Sequence, residues 1–186
     1  MIPNFTVIYD ACVLFPNVLR DLLMELATRD LYRAKWTNEI HDEWIRNVHQ
    51  RKGIPLDKLN RIKEKMNEHV RDCLVTDYHW IIPNLNLPDP GDRHVLAAAI
   101  KAKAQVIVTA NLKDFPSLEL ERHDIEAQHQ DIFISNLIDL DPVAVIEAVK
   151  KCHQRRRNPP CSLDEYLIRL QKQELPTTVS MLRELI

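Results

Sequence analysis

The sequence predicts an α/β fold, a parallel sheet covered on both sides by helices, followed by a purely helical C-terminal tail. Three observations carry this. Short apolar runs alternate with stretches of helical periodicity over the first three quarters of the chain, the pattern of strands joined by helical crossovers. From about residue 140 onward only helical periodicity remains. Only two glycines occur, Gly53 and Gly91, which disfavours glycine-turn β folds and any glycine-rich phosphate loop. The expected division is an α/β domain over 1–139 and a helical extension over 140–186.

The elements follow in order. Phe5-Thr6-Val7-Ile8-Tyr9 reads as the first strand and ends on Asp10. Leu19, Leu22, Leu23 and Leu26 repeat at helical spacing. Ala34-Lys35-Trp36 is a weak strand, and Thr37 or Asn38 can cap a helix carrying Ile40, Trp44 and Val48 on one face. Gly53-Ile54-Pro55 breaks that helix, and Leu59, Ile62, Met66 and Val70 mark the next. Tyr78 to Ile82 reads as a short strand. Asp89-Pro90-Gly91-Asp92 is a turn, with Asp92 placed to cap a helix containing Val95, Leu96, Ala99 and Ala102. Val106 to Thr109 and Ile125 to Gln128 are strands, and Phe133, Leu137 and Leu140 suggest a short helix. In the tail, Asp141-Pro142 starts a helix, Asn158-Pro159-Pro160 ends it, Ser162-Leu163-Asp164-Glu165 forms a capping box, and a last amphipathic helix follows Leu175-Pro176.

Composition narrows the function. A chain of 186 residues, 45% hydrophobic, suits one domain with a small appendage. A net charge of -2 gives no global attraction to nucleic acid, so a polyanion site needs local basic clusters or a metal. The four cysteines, Cys12, Cys73, Cys152 and Cys161, form no C-x-x-C pair and have no zinc spacing with histidine. The eight histidines show no H-E-x-x-H. No stretch approaches the ~20 apolar residues of a membrane span, and the chain opens directly on a predicted strand. A reduced, cytoplasmic protein is expected.

Several acids sit where a strand stops or a helix begins: Asp10, Glu43, Asp89, Asp92 and Asp114. In open α/β folds such positions converge outside the carboxyl ends of the strands. Clustered carboxylates repel unless a cation neutralises them, and hard oxygen ligands select magnesium or manganese. Metal-dependent phosphodiester chemistry follows from that set. Singly, each acid has a plainer reading: Asp10 a loop residue, Glu43 a solvent-facing helix residue, Asp92 an N-cap, Asp89 turn chemistry. Glu39, one turn before Glu43, is a rival for the helical position.

Taken in order, these segments resemble PIN-domain nucleases. Val7-Ile8-Tyr9-Asp10-Ala11-Cys12-Val13-Leu14 is similar to the family's opening strand, Ile40-His41-Asp42-Glu43-Trp44 to its helical glutamate segment, Asp92-Arg93-His94-Val95-Leu96-Ala97-Ala98-Ala99 to its third acidic motif, and Val108-Thr109-Ala110-Asn111-Leu112-Lys113-Asp114-Phe115 to its fourth. The match spans about residues 5–135. The tail, with Arg155-Arg156-Arg157-Asn158-Pro159-Pro160 and the capping box, resembles an extension found in a group containing VapC-like toxins of bacterial toxin–antitoxin pairs.

The resemblance implies a three-layer, Rossmann-like α/β/α fold and a magnesium-dependent endoribonuclease, with manganese as a substitute. Asp10 and Asp92 would be the metal ligands, and Glu43 would complete the acidic pocket. The fourth position stays open between Asn111 and Asp114. Thr109 and Asp89 stand as supporting residues. Arg20, Arg93 and His94 lie near the acidic motifs and are candidates for gripping RNA phosphate, ordinary salt bridges being the alternative. Lys150, Lys151 and Arg155 to Arg157 are either RNA contacts or a solvated helix end. The implied partners are RNA, a cognate protein antitoxin, and a second copy in a homodimer, with no membrane. Two rivals are a PIN scaffold that binds without cutting and a haloacid-dehalogenase-like phosphatase. The latter needs two aspartates one residue apart, whereas Asp10 is followed by Ala11 and Cys12.

Overall fold

The protein was analysed as a computed structural model that describes residues 5–156 and 159–186. Four parallel strands form one sheet in the order β2-β1-β3-β4. They are β1 (Thr6–Tyr9), β2 (Arg33–Lys35), β3 (Val106–Val108) and β4 (Glu126–Gln128). Val7, Ile8 and Tyr9 are fully buried, as a strand covered on both faces requires. Val7 pairs with Ala34 on one side and Val106 on the other.

Between β1 and β2 run α1 (Ala11–Leu14) and α2 (Asn17–Ala27). The chain then enters α3 (Asn38–Lys52), which Thr37 caps by accepting a hydrogen bond from the Ile40 N–H. Gly53 ends α3 in a left-handed conformation (φ 65°), its N–H returning to the His49 carbonyl. That conformation costs glycine little. Next come α4 (Leu56–His69) and α5 (Arg93–Ala102). The fully buried Ala97, Ala98 and Ala99 let α5 pack closely against β1 and β3. Short α6 (Ser117–Leu120) precedes β4.

The strand expected over Tyr78 to Ile82 does not form. A 3-10 turn spans His79–Asn84 instead, with Pro83 inside it. Pro83 has no N–H to donate to a ladder, and Asp77 enters with positive φ, 56°. The weak strand expected to include Trp36 stops at Lys35. Trp36 keeps only an isolated bridge to Leu74.

The C-terminal part comprises α7 (Gln130–Leu140), α8 (Pro142–Arg155), α9 (Leu163–Gln171) and α10 (Pro176–Leu185). Asp141 caps α8 through the Ala144 N–H, and the Ser162–Glu165 capping box forms reciprocally. Of the tail's basic group, Arg157 lies outside the described residues, as does Asn158 of the expected break. Three of the others are engaged in ion pairs. Lys151 and Arg155 pair at 2.8 Å with Glu25 of α2, a buried acid that also meets Arg29. Arg156 pairs with Asp21. These ion pairs hold α8 against α2, and both parts of the chain share one hydrophobic core.

Candidate active site

β1 and β2 are joined on one side of the sheet order, and the chain then crosses to place β3 on the other side of β1. The carboxyl ends of β1 and β3 therefore flank the topological switch point, where open α/β sheets bind ligands. Asp10 immediately follows β1 and Thr109 immediately follows β3. The Asp10 N–H donates to the Val108 carbonyl at 3.1 Å, which fixes the backbone from which the carboxylate projects.

Asp10 is 3% exposed. Its Oδ2 accepts from the Thr109 hydroxyl at 2.7 Å and the Cys12 thiol at 3.0 Å. Thr109 also accepts from the Asn111 N–H at 3.0 Å, and Cys12 Sγ from the Ala110 N–H at 3.2 Å. The loop after β3 is thus tied to the loop after β1 through two short polar side chains. Burial raises the Asp10 pKa and the Glu43 charge raises it further, against the two hydrogen bonds, which lower it. Burial, with the Asp10 carboxylate alongside, pushes the Cys12 thiol up. Cys12 is therefore a thiol donor and not a thiolate nucleophile. Its part was not foreseen; the available cue was its position two residues after Asp10 in the first motif.

Glu39 and Glu43 lie one turn apart on α3, so both project on one side of the helix. The opposite side is anchored by fully buried Trp44 and His41. His41 Nδ1 accepts from Trp44 Nε1 at 3.0 Å, and its Nε2 lies 3.0 Å from Asn67 Oδ1. Burial lowers the His41 pKa to about 4, leaving the ring neutral, with a proton on Nε2 for Asn67. This packing aims Glu43 toward the switch point.

Asp92 stands at the start of α5, yet its side chain makes no capping hydrogen bond. The capping role expected of it falls one turn earlier to Asp89, whose Oδ1 accepts from the Gly91 N–H at 2.7 Å. A Cβ at Gly91 would meet that oxygen at 3.0 Å, so a larger residue there would crowd the Asp89 carboxylate. The Asp92 carboxylate is left for the site. Its pKa is raised to about 7, first by burial and then by the charges of Asp10, Asp89, Asp114 and Glu43. The four acids foreseen at the site, Asp10, Glu43, Asp92 and Asp114, thus act on one another electrostatically. Asp114 closes a short 3-10 turn, Leu112–Asp114, and is half-buried; Asn111 before it is exposed.

The candidate cations fare differently. Arg20 is 6% exposed, donates to the Leu14 carbonyl at 2.6 Å and lies 4.5 Å over the Trp44 ring. It is a packing residue of α2 and not a phosphate ligand. His94 faces two acids, with Nδ1 3.5 Å from Glu39 and Nε2 3.6 Å from Glu43. Burial lowers its pKa, but the close Glu43 carboxylate and the charges of Glu39 and Asp10 outweigh this and raise it. Its charge is therefore engaged with carboxylates. Arg93 is half-buried, and its Nε has no hydrogen-bond partner among the described residues.

Two cavities meet at Glu43. One, of about 590 Å³, lies between α3 and the turn before α5 and is lined by Glu39, Glu43, Asp89, Asp92, His94 and Arg46 among others. The second, of about 620 Å³, runs from Glu43, Cys12 and Asn111 toward the turn between α9 and α10. Among the described residues, no three His, Cys, Asp or Glu side chains form a ready-made cage for a metal ion.

A parallel sheet with interacting acids at its β1/β3 switch point defines a class, and the comparisons agree. Residues 6–113, more than half of the chain, match the PIN domain family model, and the chain belongs to that family. Residues 130–184 match a second model, the VapC50 C-terminal domain. The chain is similar to a Mycobacterium tuberculosis (strain ATCC 25618 / H37Rv) protein named "Putative ribonuclease VapC50", with 53% identity over 49 residues. That match covers 26% of this chain and 29% of the mycobacterial protein. No solved structure matches the chain.

Proposed function

We propose that this PIN-domain protein is a metal-dependent endoribonuclease acting as the toxin of a toxin–antitoxin pair. The observation that carries the reading is the Asp92 carboxyl at the start of α5, free of any capping hydrogen bond, its pKa raised to about 7 by burial and by the charges of Asp10, Asp89, Asp114 and Glu43. His94 offsets only the charge of Glu39 and Glu43, and a bound cation would neutralise the remaining acids. The ribonuclease name of the mycobacterial relative, which matches over a part of its length, supports the same class.

The donor set fits magnesium or manganese. Asp10 and Asp92 would hold the ion, with Glu43 and Asp114 nearby, all hard carboxylate oxygens. Magnesium is commonly bound by one or two carboxylates, with water and substrate phosphate filling the remaining positions, so a cage of three side chains is not required. When bound, the ion supplies charge stabilisation for the phosphate and an activated water. The protein's own residues do the positioning. Thr109 and Cys12 fix Oδ2 of Asp10 and leave Oδ1 without a side-chain donor. His94 offsets the charge of Glu39 and Glu43, so α3 can present Glu43 beside Asp10. Asn111 brings a neutral amide to the fourth position, and Asp114 brings its charge.

The substrate is RNA, and Arg93 is the remaining foreseen candidate for a phosphate contact. A protein antitoxin would inhibit by covering the acidic cavity. A cytoplasmic location and a homodimer accompany this reading; no helix among the described residues is long and apolar enough to cross a membrane. The uncharged Asn111 at the fourth position favours one alternative, a PIN scaffold that binds RNA or protein with weak cleavage. Incubating the purified chain with labelled RNA separates the two. The nuclease reading expects cleavage with magnesium or manganese that stops on chelation. Cleavage that persists in chelator, or none with either metal, contradicts it. For the biological role, induced expression should arrest growth, and co-expression of an adjacent small antitoxin gene should relieve the arrest.

A further inference from the structure

The second cavity touches the acidic motifs at one end only and contains none of the expected phosphate-binding residues. It begins at Glu43 and Asn111, beside the carboxylates, and its far wall is Lys172, Gln173 and Glu174 of the C-terminal extension. Its volume, about 620 Å³, lies in the range of small-molecule sites. The near wall is apolar, with half-buried Phe15 beside Pro16 and Leu19. Two exposed cations stand over the Phe15 ring, Lys52 at 4.4 Å and Arg51 at 5.6 Å. Neither Arg51 nor Lys172 has an acidic partner among the described residues. The wall also contains Glu174, whose carboxylate faces His129 Nε2 at 3.5 Å. The acidic cavity, by contrast, would repel a phosphate unless a cation were bound.

A further feature of the wall points to a ligand. Gln130, at the start of α7, is 3% exposed, and its Oε1 is buried without a hydrogen-bond partner. Its amide nitrogen makes only a long contact, 3.4 Å, to the Gln173 carbonyl. A buried acceptor left unpaired is destabilising, a cost that an arriving N–H donor would remove.

The geometry points to a nucleotide-binding subsite in this cavity, in which the C-terminal extension completes the RNA cleft. The subsite holds the single-stranded nucleotide next to the scissile phosphate. Its phosphate lies between Arg51 and Lys172, its base lies against Phe15, and Gln130 accepts a hydrogen bond from the base edge. An apolar ring wall with flanking cations is the usual surface for an unstacked base and its backbone. This inference rests on the nuclease reading and adds to it a place where sequence preference is set.

The test uses the full chain carrying Asp10→Asn, so that RNA is bound but not cut. Binding of a labelled unstructured RNA is followed by fluorescence anisotropy across a salt series. Lys172→Ala and Arg51→Ala, both at exposed positions, should each weaken binding about 3–10-fold and reduce the slope of log K against log salt by about 0.7, the value for one phosphate contact on a single strand. In the cleaving chain, Gln130→Leu should relax base preference at one position beside the cut. Gln130→Glu, which keeps the acceptor, should retain that preference. Unchanged affinity and slope in both cation variants, in a chain whose wild type cuts RNA, overturn the subsite and leave the nuclease reading standing. If the cation variants bind RNA normally but lose affinity for a protein antitoxin, the cavity is a protein-docking site and the inference is wrong. If the wild type neither binds nor cuts RNA, the nuclease reading fails and the subsite fails with it.

Discussion

At the scale of single residues, the site is governed by how carboxylates are held when no cation is present. Asp10 keeps two side-chain donors on one oxygen, and Asp92 has none from capping. The raised pKa of Asp92 has a consequence for stability. A carboxyl whose folded pKa exceeds its unfolded value, near 3.9, binds its proton more tightly in the folded state. Folding is therefore penalised progressively as pH rises from about 4 through about 7, and the penalty is complete above that. Asp92→Asn removes the charge at nearly constant size. In metal-free buffer at pH 8 the variant should melt about 2–4 °C above wild type, the shift for roughly 1 kcal/mol in a chain of this size. The difference should close near pH 4. Thermal melts followed by circular dichroism at both values check this. Equal melting at pH 8 would mean that the acids do not strain one another.

At the scale of elements, the C-terminal helices are tied together by an unusual cap. Leu175, at the N-terminus of α10, provides no side-chain acceptor. Asp131 of α7 supplies it instead, its Oδ1 accepting from the Thr178 N–H at 2.8 Å and its Oδ2 from the Thr177 N–H at 3.0 Å. Burial would raise the Asp131 pKa, but these backbone donors outweigh it and lower the value. The stabilisation is fully present above the unfolded value near 4 and is lost as pH falls through the lowered folded value. Asp131→Ala should cost about 2 kcal/mol at pH 7, the upper end for losing a helix cap, and much less near pH 2. Denaturant unfolding at the two pH values measures this.

Much of the element order was legible because helical and strand periodicities are local. The Thr37 cap, the Gly53 stop and the Ser162 capping box were readable for the same reason. The run Trp80-Ile81-Ile82 misled, since apolar and β-branched residues suit a strand, while Pro83 and the left-handed Asp77 favour a 3-10 turn. Asp10 and Asp92 were legible as residues at a strand end and a helix start. The freedom of the Asp92 side chain was not, because it depends on Asp89 taking the cap. His94 and Arg20 show the limit more sharply. Both are cations near acidic motifs in sequence. Only the folded packing puts His94 against Glu39 and Glu43, and Arg20 under the fold against Trp44.

At the scale of the whole molecule, the extension and the α/β domain meet twice. The buried Glu25 gathers Arg29, Lys151 and Arg155 where α2 faces α8, and the turn after α9 walls the cavity that opens beside Glu43. The central claim is that acids from separate elements form one metal-dependent nuclease site. Cleavage of labelled RNA by wild type and Asp10→Asn, in magnesium and at matched protein concentration, tests it most directly. Asparagine retains an oxygen to accept from Thr109 and Cys12, so circular dichroism should show an intact fold. The rate should fall about 100-fold or more, in line with losing roughly 2.7 kcal/mol of transition-state stabilisation. An Asp10→Asn protein that cuts RNA as fast as wild type, or one that unfolds, would contradict the assignment.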